Sequence, residues 1–219
     1  MTNLLILTEA GEHIGYGHLT RCFALQDYFL SRDFETTIFL NNVGGNYSFN
    51  LVSKVVSVDW LKAIGEVKNI SRTITNVLVD SYLANTQYYR FLESHFENVI
   101  ALDDFNRISY PAKVILNPNA YGDTIDYRNQ TGKVLAGKQF VILRESFRER
   151  KQHFVVSNNI KKILVTFGGH DYRELMPEVI KLFKDRDFYL VLIAGTSRYA
   201  DQLAGLFPHN NIEFIGYAH

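Results

Sequence analysis

The chain has 219 residues, 47% of them hydrophobic and 21% charged, which is enough for one large domain or two smaller ones around sizeable cores. Its 23 Lys and Arg balance 23 Asp and Glu, so no overall field favours nucleic acid or an anionic membrane surface as a partner. Cys22 is the single cysteine, which excludes an intramolecular disulfide, and no apolar run approaches the roughly 20 residues of a membrane-spanning helix.

In chain order, "MTNLLILTEA" opens on a short apolar run with no basic leader and with Glu9 close behind. It reads as a first core strand rather than a signal peptide, and places the protein in the cytoplasm. Further runs rich in Val, Ile, Leu and Phe follow at 36–40, 54–58, 76–81, 98–102, 113–117 and 140–144. They are continuous rather than alternating, as expected of strands covered on both faces. Between them, "HLTRCFALQDYFLSR" repeats Leu19, Cys22, Phe23, Leu25, Phe29 and Leu30 at helical spacing, and "NTQYYRFLESHF" predicts a helix capped by Asn85 or Thr86. The alternation predicts an α/β fold with a mainly parallel sheet.

The polar stretch "ESFRERKQHFVVSNN" reads as a linker, dividing the chain into 1–150 and 151–219. Beyond it the strand–helix rhythm resumes with "KKILVTFGG", "YRELMPEVIKLFKD", "FYLVLIAG", "RYADQLAGLF" and "IEFIG". Pro177 marks either the start of the first helix there or a kink in it. Three strands make this second domain look incomplete, with an exposed sheet edge open to self-association.

The chemistry-bearing residues gather where strands end. In "EHIGYGHLTRC", Gly15 and Gly17 let the backbone turn sharply after the first strand, and the helix that follows offers free N–H groups to an anion. His18 can exchange a proton near neutral pH, and Arg21 lies one turn further along the same face. The plainer reading is a glycine-rich turn with a solvent-exposed histidine and a solvated arginine. A ring packed inside with no cavity beside it would leave such chemistry no room.

Asp80, Ser81 and Tyr82 close "VLVDSY", while Asp103, Asp104 and Arg107 close "ALDDFNR". Acidic residues at such ends often cap the next turn, the simpler expectation for Asp103, yet two on one rim favour a polar cleft. Arg144 ends "VILR", beside a possible partner in Glu145. Gly168 and Gly169 in "VTFGGHD" repeat the strand–glycine–helix design; they suit either a phosphate or a tight turn with Asp171 as a cap. His13 and His18 lack the spacing of metal ligands, so zinc is not expected.

Six segments in order, "GYGHLTRCFAL", "VLVDSY", "ALDDFNR", "VILNPN", "LAGKQFVILRESF" and "ILVTFGG", resemble the UDP-2,4-diacetamido-2,4,6-trideoxy-β-L-altropyranose hydrolases of pseudaminic acid biosynthesis and related spore-coat polysaccharide proteins. The resemblance implies a GT-B-like fold of two Rossmann-like domains facing across a cleft. It implies a UDP-sugar substrate and metal-independent release of UDP and free sugar, with no cofactor. His18 inherits the role of general base, Asp80 and Tyr82 the sugar side, and Gly168 the loop at the interdomain cleft. Family members continue past "IEFIGYAH" with a Gly-rich segment and a glutamate that hold the nucleotide, and this chain stops before both. A glycosyltransferase on the same scaffold, or a non-catalytic sugar-nucleotide-binding half protein, fits the same residues.

Overall fold

The computed structural model describes residues 3–11, 14–43, 54–148, 158–168, 171 and 173–216. The chain divides into two compact units, Met1–Arg150 and Lys151–His219, each built on its own parallel sheet.

The first unit runs β1 (Asn3–Gly11), α1 (Gly17–Leu30), β2 (Glu35–Val43), β3 (Val55–Ser57), α2 (Ile64–Ile70), β4 (Asn76–Asp80), α3 (Thr86–Glu93), β5 (Asn98–Leu102), β6 (Val114–Asn117), β7 (Lys133–Ala136) and α4 (Glu145–Arg148). The seven strands lie in the order β3-β2-β1-β4-β5-β6-β7. The chain therefore starts at mid-sheet, moves out to β3, and returns to the other side of β1 at β4. That reversal makes β1/β4 a topological switch point, the position beyond whose strand ends ligands bind in open α/β sheets.

The period of two along a strand explains the unbroken apolar runs. In β1, Leu5 and Leu7 join one core cluster with Trp60, Val79, Tyr89 and Leu92. Leu4 and Ile6 join the opposite cluster with Leu19 and Cys22 of α1. With both faces buried, the strand is apolar on both sides from Leu4 to Leu7. α3 begins as expected, Asn85 Oδ1 accepting from the Tyr88 N–H at 2.9 Å.

The expected strand at 140–144 does not form. The seventh strand is Lys133–Ala136, and Gly137, at φ 100°, turns the chain away from the sheet. A short 3₁₀ turn follows at Lys138–Phe140, and Val141 and Leu143 are exposed. An apolar run of that length is ambiguous by composition alone; the glycine decides it.

The second unit runs β8 (Lys162–Thr166), α5 (Leu175–Phe183), β9 (Tyr189–Ile193), α6 (Ser197–Leu206) and β10 (Ile212–Ile215), with sheet order β10-β9-β8. Met176 and Ile180 of α5 and Ala200 and Leu203 of α6 pack on Leu190 and Leu192. Pro177 sits in the first turn of α5, where its missing N–H has no intrahelical partner to lose. Among the described residues no helix is long and apolar enough to cross a membrane.

Candidate active site

The site grows from the switch point. β1 ends at Gly11, whose carbonyl accepts from the Gly15 N–H at 2.7 Å. Gly15 adopts φ 79°, a backbone state that glycine takes without strain. α1 then starts at Gly17, with no acidic residue in its first turn and no side chain capping it. His18 and Arg21, three residues apart, project from the same helix face toward the ends of β4 and β5.

There they meet two acids. His18 Nδ1 lies 2.7 Å from Asp80 Oδ1. Arg21 donates from Nε to Asp80 Oδ2 at 2.9 Å and from Nη2 to Asp80 Oδ1 at 2.5 Å. Its Nη1 reaches Asp104 Oδ1 at 2.8 Å. Asp104 also accepts from the Tyr82 hydroxyl at 2.6 Å and from Asn119 Nδ2 at 2.7 Å. The Tyr82 ring stands edge-on to the His18 ring, centroids 4.5 Å apart. Glu9, wholly buried in β1, accepts from the Ser81 hydroxyl and, at 2.7 Å, from the Tyr82 N–H. The result is a continuous polar network under the strand ends.

Its electrostatics follow from that pairing. Burial works to lower the His18 pKa, but the hydrogen bond and negative charge of Asp80 outweigh it and raise it above the ordinary imidazole value. Burial works to raise Asp80, yet His18 and Arg21 hold it below the usual carboxylate range. Against the same opposing burial, Arg21, Tyr82 and Asn119 bring Asp104 down to about 2. Burial and Asp104 push the Tyr82 phenol up, so it stays a donor. Cys22 tucks beneath this network, its thiol 3.6 Å from Asp80 Oδ2 and driven well up by burial.

With Asp80 against Nδ1, the neutral ring carries its proton on that nitrogen and keeps the lone pair on Nε2. Nε2 makes no hydrogen bond among the described residues and is not sealed from solvent. The residue as a whole is 7% exposed, so it is not the water-facing helix start that a plain glycine turn suggests. Cavities of about 600 Å³ beside Asn41, Asp59, Lys62 and Leu83 and about 460 Å³ beside Asn106, Asp126 and Arg128 do not include it, so the cavity expected beside the ring is neither of these, and only the Nε2 edge reaches solvent.

Several expectations change in this geometry. Asp80 is 1% exposed and fully taken up by its partners, so it stands behind the imidazole rather than on a sugar-facing surface. Arg21 is held by two carboxylates and is not a solvated charge. Arg144 ends no strand; it precedes α4, with its guanidinium over the Phe147 ring at 5.1 Å. Gly17 has nothing within 4 Å of where a Cβ would stand, so space does not require glycine there. Asp103 does cap its turn, accepting from the Asn106 and Arg107 N–H groups.

In the second unit Gly168 takes φ 81°, while Gly169 lies outside the described residues. Helix α5 starts only at Leu175, and Asp171 accepts from the Leu175 and Met176 N–H groups. That fits the tight turn with an aspartate cap. Glu9 and Asn119 were not singled out in the sequence, although a glutamate inside an apolar strand is itself a signal of a buried polar contact. Among the described residues no group of His, Cys, Asp or Glu could hold a metal ion.

Sheet topology and backbone define a GT-B-like α/β protein with Rossmann-type sheets. The chain is similar to MurG of Acinetobacter baumannii, a GT-B glycosyltransferase, at 12% identity and a TM-score of 0.57, over 100% of this chain and 67% of that one. No family model and no curated protein matches it.

Proposed function

We propose that this protein hydrolyses a UDP-linked deoxyamino sugar, with His18 as general base. The observation that carries the reading is the Asp80–His18 pair at 2.7 Å beside the β1/β4 switch point, with Nε2 left unpartnered among the described residues. Nε2 takes a proton from water as its oxygen bonds to the anomeric carbon. The bond from that carbon to the diphosphate breaks, and UDP leaves with the electron pair. Asp80 fixes the ring and steadies the imidazolium that forms. The uncapped first turn of α1 offers N–H groups and a partial positive charge to the departing diphosphate.

A second reading is favoured by the likeness to a glycosyltransferase: the same base would deprotonate an acceptor hydroxyl instead of water. Product analysis separates the two, since a transferase given its acceptor makes little free sugar.

His18→Ala is expected to lower UDP release by about 10²- to 10⁴-fold; equal rates would remove His18 from the mechanism. The base must be neutral, and its raised pKa sets the acid limb of kcat/KM above pH 6.5. Asp80→Asn withdraws the raising charge, so that limb moves to lower pH while kcat falls because the tautomer is no longer held. A limb that stays put would detach Asp80 from the base.

A further inference from the structure

We infer that Phe105 extends the ring of Tyr82 into a platform against which the sugar ring of the substrate stacks, and is the specificity-determining residue; this rests on the sugar-nucleotide reading above, which already puts Tyr82 on the sugar side. Phe105 lies in the turn just past β5 and is 62% exposed, although a phenyl ring is ordinarily drawn inside. It does not stand alone. Its centroid is 6.3 Å from that of Tyr82, the planes inclined by 38°, and Tyr82 in turn lies 4.5 Å from the His18 ring. The three rings form a row that starts at the proposed base and ends in solvent.

Tyr82 is a fixed member of that row. Its hydroxyl is held by Asp104 and its backbone N–H by Glu9, yet the residue is 44% exposed. A ring so anchored presents apolar surface without losing side-chain freedom when a ligand arrives. A pyranose presents C–H groups on its faces and hydroxyls at its rim, so an aromatic surface with polar neighbours suits it.

Distance chooses the sugar over the base of the nucleotide. The base is separated from the anomeric carbon by a ribose and two phosphates, whereas the sugar ring contains that carbon. A ring seated on Tyr82 is one ring width from His18, which only the sugar satisfies if His18 acts at the anomeric carbon.

Calorimetric titration with UDP-N-acetylglucosamine as the acetamido-sugar probe, and with UDP alone, tests this. Phe105→Ala is expected to weaken UDP-N-acetylglucosamine about tenfold, in line with the loss of one aromatic contact, and to leave UDP unchanged; Phe105→Trp should retain the sugar's share. Because Phe105 is exposed, its removal leaves the core intact, which an unchanged Tm verifies. Unchanged affinity for the sugar nucleotide, or an equal loss for UDP, overturns the platform and leaves the proposed reaction standing. A wild type that binds neither compound overturns both.

Discussion

The two units begin alike and end differently. Each runs from a parallel strand into a turn with a left-handed glycine, Gly15 in one and Gly168 in the other. In the first, the helix opens uncapped, and the side chains of its first two turns reach across to acids at the ends of β4 and β5. In the second, Asp171 fills that place and spends its carboxylate on the helix's own N–H groups. The lesson is that a strand–glycine–helix signature specifies a backbone turn. Whether a site arises there depends on what the adjacent strand ends present.

That contrast can be broken at its strongest point. Arg21→Ala leaves Asp80, and in part Asp104, as buried carboxylates without their cation, and should destabilise the first unit by about 3–5 kcal/mol. Denaturant unfolding checks it; a loss of a few tenths would mean the network is ornamental to the fold. Acid comes next. Asp104 titrates near 2 when folded, so the stability it contributes is full above the ordinary carboxylate pKa and is lost as pH falls toward 2. A shift of this size is worth at most about 2 kcal/mol, reduced by solvent screening at the open side of the carboxylate, and Asp104→Asn should flatten that part of the stability–pH curve. The smallest effect belongs to the second unit: Asp171→Ala removes a cap worth about 1 kcal/mol. Amide exchange of α5 should quicken while that of α1 stays as it was; matching changes in both helices would dissolve the distinction between the two turns.

Much of this architecture is readable from residue order because burial on both faces forces unbroken apolar strands. The runs at 3–8 and 98–102 fall wholly in strands, and the run at 76–81 passes the end of its strand by one residue. The run at 140–144 misleads because Val141 and Leu143 are apolar without being buried, and one glycine redirects the chain. The short helix Ile64–Ile70 escapes notice because only Val67 in it is buried. For the site, the spacing of His18 and Arg21 is local and hence visible. The depth of Asp80 is not: it depends on register, Thr8 pairing with Asp80 and Asp80 with Leu102, which brings residues 62 apart in sequence into contact. The role of Glu9 is hidden for the same reason, since Ser81 and Tyr82 come to it only once β1 and β4 are paired.

Cys22 gives this arrangement a built-in reporter. A lone sulfhydryl pinned under Asp80 and held protonated by its surroundings is inert toward thiol-directed reagents while α1 stays seated. The speed at which such a reagent labels the native chain is therefore a clock for how often the helix bearing His18 lifts away from the sheet, with no engineered label needed.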